Sequence, residues 1–154
     1  MLTPSAAQER AAALIDLARK AGADAADAIY SGSSSEGVQV RLGKLEDIER
    51  SESEHLDLRV FIGSRSASIG SSDLSDAALA ELAARAVDMA RAAPEDQYSG
   101  LAPEELLFRD RPAALDLEDS AEPSPQDLLA RALAAEDAAR AVAGVTNSEG
   151  GSAS

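Results

Sequence analysis

Cysteine is absent from this chain, tryptophan is absent too, and histidine occurs once, at His55. Without cysteine there is no disulfide framework, no thiol nucleophile and no thiolate metal ligand. With a single imidazole the pattern His-Glu-x-x-His cannot be written, and a serine nucleophile would have one base to draw on. Basic residues are also sparse: 14 Lys and Arg stand against 28 Asp and Glu, for a formal net charge of −14. That balance disfavours binding to a nucleic-acid backbone, which needs a clustered Lys/Arg footprint, and to an anionic membrane surface. The opening MLTPSAAQER lacks a basic stretch followed by an apolar one, so no signal peptide is visible, and no apolar run approaches bilayer length. A soluble, acidic, cytoplasmic protein is expected.

Apolar content is ample, but its kind matters. Four aromatics are present (Tyr30, Phe61, Tyr98 and Phe108), whereas alanine occurs 34 times. Alanine favours helix and buries little surface, so the core is expected to be thin. A thin core suits a piece that leans on a partner or on further chain, and equally a small Ala-rich domain. At 154 residues the chain is one domain, or one domain plus a fragment.

Periodicity orders the chain. Ser5 and Gln8 stand at capping-box spacing, followed by Ala11, Leu14, Ile15, Ala18 and Ala21 at helical spacing, with Gly22 as the stop. A short strand is expected around Ala28–Tyr30, then a turn at SGSSSEG, then a strand alternating Val38, Val40 and Leu42. Leu42–Lys44 reads as a tight hairpin turn, LEDIERSES as a polar edge strand, and Glu54–His55 as a bend. In the strand that follows, Leu56, Leu58, Val60 and Ile62 face one way, and Asp57, Arg59 and Phe61 the other. SASIGSS is a last strand of this set. A second helix is capped by Ser75, buries Leu79, Leu82, Ala83, Ala86 and Ala90, and ends before Pro94. Residues 94–123, punctuated by Pro94, Pro103, Pro112 and Pro123, read as a connector. A third helix starts at Ser124 and Pro125, turns Leu128, Leu129, Ala132 and Leu133 to one face, and closes at Gly144. Val145 and Thr146 then begin a strand. The division is a domain over 1–93, the connector 94–123, and the opening of a middle domain over 124–154. The fold class is α+β: an antiparallel meander of four to five strands with helices packed on one face.

No constellation of catalytic groups stands out. His55 lies among Glu52, Glu54 and Asp57, and a solvated turn histidine accounts for it better than a ligand does. The serines cluster in turn-like stretches. GSSSEG and GSRSASIG match neither the dinucleotide nor the P-loop fingerprint. Carboxylates such as Glu46, Asp47 and Glu49 suit a solvated edge strand, where charge blocks strand addition. No catalytic, cofactor-binding or metal-binding residue is assigned.

The order of motifs nevertheless resembles the N-terminal region of the PmbA/TldD proteins. That family shows a Val-x-x-Gly-Lys hairpin, a Glu/Ser-rich strand, a Leu-x-Val-Arg-Val-Phe-x-Gly strand and a Ser-Asp-Leu-Ser helix cap. Similar pieces stand here at Val40–Lys44, Glu49–Glu54, Leu56–Gly63 and Ser71–Ser75. The stretch Ala93–Leu107 is similar to the PmbA (TldE) branch rather than the TldD branch, and VTNSEGGSAS resembles a strand that family members run through. The family often has Asn before the hairpin Gly, where this chain has Leu42; Asn tolerates positive φ and Leu does so poorly.

The resemblance implies a non-catalytic N-terminal portion of a PmbA/TldE-like subunit, with a structural and dimer-assembly role, and a native chain continuing past Ser154. TldD-type proteins are metal-dependent peptidases acting on small unfolded peptides. Their metal motif lies beyond the equivalent of Ser154, and the PmbA branch lacks it. Zinc would therefore sit in a TldD-type partner, in a homodimer or a heterodimer with a TldD-like subunit. Peptide substrates would be met by the full assembly, with no direct nucleic acid and no membrane. The alternatives are a free-standing acidic protein-binding module, or a DNA gyrase modulator acting by protein contact.

Overall fold

A computed structural model describes residues 1–110, 115–117, 119 and 121–154; Pro112 of the expected connector lies outside the described residues. Among the described residues three helices and four strands follow in the order α1 (Pro4–Ala21), β1 (Ala25–Arg41), β2 (Lys44–Ile62), β3 (Arg65–Ser71), α2 (Asp76–Ala92), α3 (Pro125–Arg140) and β4 (Gly151–Ala153). A 3-10 turn, Glu104–Leu106, lies in the connector. The strands form one antiparallel sheet of order β3-β2-β1-β4, which makes the fold α+β as expected. No helix among the described residues is long and apolar enough to cross a membrane.

Contacts divide the chain into two compact units that are discontinuous in sequence: 1–33 with 53–110, and 34–52 with 111–154. Both long strands contribute to both units.

In the first unit, Leu56, Leu58 and Val60 alternate along β2 and are fully buried. They pack with Leu14 and Ala18 of α1 and with Leu79, Leu82, Ala83, Ala86, Val87 and Ala90 of α2. The stripe expected on α2 is buried throughout. The β2–β3 register runs from Leu56 opposite Ser71 to Ile62 opposite Arg65. On the opposite face Phe61 is buried too, with the Arg59 guanidinium 5.2 Å from its ring centroid. Ser75 caps α2, and Ala93, ahead of Pro94, takes the extended conformation that ends it. In the second unit a smaller cluster joins Val38 and Val40 of β1 to Leu128 and Ala132 of α3. Ser124 and Asp127 complete a capping box at the start of α3.

Several local expectations are corrected. The first helix is capped by Thr3, whose hydroxyl accepts from the Ala6 N–H, with Pro4 in its first turn; Ser5 already lies inside it. Gly22 does end that helix, at φ +111. SGSSSEG is not a turn but the middle of β1, and there is no bend at Glu54–His55, because β2 runs unbroken to Ile62. Its small polar residues read as loop by composition. Hydrogen bonding between two long neighbouring strands overrides that preference, since strand propensity is mostly context. The third helix ends at Arg140, not Gly144, and the last strand begins at Gly151, not Val145.

Candidate functional site

The most organised polar site lies at the β1–β2 turn, within the second unit. The turn residues Leu42 and Gly43 have φ of +50° and +75°. Two successive positive φ values define a type I′ hairpin turn, whose twist matches that of the strands it joins. Such a turn leaves its backbone N–H groups pointing into a shared concavity that favours an anion. Here the anion is Glu136, from the C-terminal part of α3. Its carboxylate accepts the Leu42 N–H at 2.7 Å and the Gly43 N–H at 2.8 Å. Glu136 is only 1% exposed, and no other charged side chain among the described residues is buried.

The surroundings fix its ionisation. The Gly43 N–H holds the Glu136 carboxyl below the usual carboxylate range against the opposing effect of burial, with further help from the Leu42 N–H, the Ser148 hydroxyl and the Arg140 guanidinium. Ser148 also accepts the Gly150 N–H at 3.0 Å. The glycines that follow are required by space. A Cβ at Gly150, where φ is +124°, would stand 2.4 Å from the Val40 carbonyl oxygen. One at Gly151 would stand 2.5 Å from the Ala132 carbonyl oxygen. Only a chain without side chains at these two positions lets β4 lie against β1 and α3 together. The Ser-Glu-Gly-Gly stretch thus wires β4, α3 and the hairpin turn around one carboxylate.

Chemically, this arrangement is a clasp. A general acid must hold a proton near neutral pH, and a general base or a metal ligand needs a free lone pair facing substrate or ion. Glu136 is ionised, enclosed and engaged by backbone donors. A groove of about 210 Å³ beside β4 is lined by Gln39, Asp47, Glu49 and Ser152 among others, and is open to solvent.

His55 is placed on β2 rather than in a turn, exposed, with Nε2 3.3 Å from Asp57 Oδ1. Both side chains lie over Gly70 of β3, where a Cβ would meet each at 2.3 Å. Among the described residues no three His, Cys, Asp or Glu side chains come together as a group that could hold a metal ion. A second polar knot in the first unit joins Tyr30 and Glu54: the tyrosine hydroxyl donates to the carboxylate at 2.6 Å, and the Leu2 N–H donates to it at 2.7 Å. That bonding lowers the Glu54 pKa, through Tyr30 first and then Leu2. Sequence reasoning missed Glu136, which falls on the helix stripe one turn after Ala132 and reads there as a solvated acid. The Gly-Gly pair after Ser148 was the signal available.

Residues 26–90 match the family model of PmbA/TldA metallopeptidase domain 1. The chain is 38% identical to the metalloprotease PmbA of Escherichia coli over 130 residues, 84% of this chain and 29% of that protein. It is 33% identical to a metalloprotease PmbA homolog of Haemophilus influenzae over 141 residues, 90% of this chain and 30% of that protein. The chain thus spans less than a third of the length of these relatives. Among solved structures it is similar to a candidate modulator of DNA gyrase from Bacteroides thetaiotaomicron (TM-score 0.80, 23% identity, 90% of this chain and 31% of that one). It is also similar to TldE from Thermococcus kodakarensis (TM-score 0.67, 18% identity, 85% and 29%). At those identities the structural likeness speaks for the fold.

Proposed function

We propose that this chain, which matches the N-terminal portion of the PmbA/TldD proteins, serves as a non-catalytic, architectural part of a PmbA/TldE-type subunit in a metal-dependent peptidase assembly. The observation that carries this reading is the Glu136 clasp. The one buried charge among the described residues is spent on two turn N–H groups, so the best-built polar site holds backbone in place and offers nothing to a substrate. Among the described residues, exposed His55 and Asp57 are not joined by a third side chain of metal-ligand type. On this reading zinc and peptide substrates belong to a TldD-type partner subunit, and the assembly is cytoplasmic.

The test is peptidase activity toward short unfolded peptides with added Zn²⁺. The chain alone should give no turnover, and cleavage should need a TldD-type subunit. Metal-dependent cleavage by this chain alone that survives repurification and disappears in His55→Ala would overturn the reading. The net charge of −14 supports a second reading, in which a gyrase-related role would run through protein contact rather than DNA. Salt-sensitive DNA retention in a gel shift would count against it.

A further inference from the structure

We propose that Asn147 is a site of spontaneous covalent modification. Ring closure onto the Ser148 nitrogen converts it to aspartate and isoaspartate, and the isoaspartate loosens the Glu136 clasp. The proposal rests on the geometry around that clasp and not on the architectural role above.

Asn147 is the only asparagine in the chain, and the small residue Ser148 follows it. Residues 145–150 belong to no helix or strand. Among the described residues no hydrogen bond engages the Ser148 N–H, although its hydroxyl is bonded. That nitrogen is the nucleophile the reaction needs, and a helix or a strand ladder would have withdrawn it. Closure is intramolecular, so it asks for backbone freedom at two neighbouring residues rather than for an open surface. Gln39 provides the contrast. It lies within β1, and its side chain would have to close a larger ring.

The chemistry balances without an oxidant or a cofactor. The deprotonated Ser148 nitrogen attacks Asn147 Cγ. The new N–Cγ bond forms, the Cγ–Nδ2 bond breaks, and the side-chain nitrogen leaves as ammonia. One water then opens the cyclic imide. Attack at Cγ restores the ordinary backbone with an aspartate side chain. Attack at the main-chain carbonyl leaves isoaspartate, whose backbone runs through Cβ and Cγ and is longer by a methylene. Either product gains one negative charge.

The position gives the change a consequence. Ser148 is a joint of the clasp: its hydroxyl helps stabilise the ionised Glu136 carboxyl and accepts the Gly150 N–H at 3.0 Å. Beyond it the chain has no slack. Gly150 and Gly151 lie so close to the Val40 and Ala132 carbonyl oxygens that a Cβ would collide with them. A methylene inserted just before Ser148 must therefore move its hydroxyl off its partners or push Gly151 out of register with Val40. Ordinary aspartate adds the charge without the length.

The experiment ages the 154-residue chain in mildly alkaline buffer beside a synthetic peptide of residues 141–154. Peptide mass spectrometry, with chromatographic separation of the two acids, follows residue 147. The folded chain should convert within about tenfold of the peptide's rate, give both acids, and leave Gln39 intact. Conversion slower than that, or none, overturns the site. Amide exchange then compares the purified isoaspartate form with wild type and Asn147→Asp. Exchange at Leu42 and Gly43 should quicken at least about tenfold in the isoaspartate form and stay near wild type in Asn147→Asp, with α2 protected in both. Unchanged exchange in the isoaspartate form overturns the consequence, as does a loss of protection that extends to α2. Equal quickening in Asn147→Asp overturns the argument from backbone length.

Discussion

The two compact units share the same pair of long strands and are held by different physics. The first buries thirteen apolar residues from β1, β2, α1, α2 and the α1–β1 connection in one cluster, Leu14, Leu56, Leu58 and Leu79 among them. Among its described residues the second buries four in its cluster, Val38, Val40, Leu128 and Ala132, and adds a carboxylate to them. Apolar burial is non-directional and indifferent to pH. A buried carboxylate is directional and holds only while it is ionised and fully bonded. The comparison teaches that a small apolar strip can be completed by one anion, provided the backbone supplies its donors.

The widest break in that comparison is a core truncation. Leu58→Ala, at a fully buried position in the first unit, should destabilise by about 2–5 kcal/mol, read from urea or thermal unfolding followed by circular dichroism. Its effect should be nearly independent of pH between about 3 and 7, because no charge is lost at that position.

Glu136→Ala should act locally and next most strongly. Two backbone donors would be stranded in a buried turn, so amide exchange at Leu42 and Gly43 should quicken at least about tenfold while amides of α2 stay protected. Acid offers the same break without mutation. The folded Glu136 pKa is depressed, so its contribution is complete above the unfolded carboxylate value of about 4.3 and is lost as pH falls through the lower folded value. Protection at Leu42 and Gly43 should therefore fall in that acid window, and Glu136→Gln should flatten the fall. Asp127, also lowered by its Ser124 bonds, would leave a residual slope.

Smaller effects sharpen the contrast. Ser124→Ala removes the capping box of α3 and should cost about 1 kcal/mol, measured by thermal melt. His55→Ala removes an exposed side chain and should stay within about 0.5 kcal/mol of wild type in the same melt.

The first unit was largely legible in the sequence. Leu56, Leu58 and Val60 alternate with polar residues, the α2 stripe repeats at helical spacing, and Ser75 and Pro94 bound that helix; each signal is local. The second unit was less so. SGSSSEG has the composition of a loop, and its strand character comes from a neighbouring strand rather than from its own preference. Glu136 looked like any acid on a helix, and its partners lie 93 and 94 residues away in the chain.

By itself, then, the sequence determined the α+β class, the Ser75 and Ser124 caps, the core-facing stripes and the hairpin at Gly43. Those follow from side-chain periodicity and from φ preferences, which act over a few residues. Only the tertiary structure decided that residues 34–52 group with α3, and that Gly150 and Gly151 admit β4 there. Only it decided that one carboxylate closes the turn at which Leu42 is strained. Those outcomes depend on which distant backbone donors and carbonyls meet, and no local pattern encodes such a meeting.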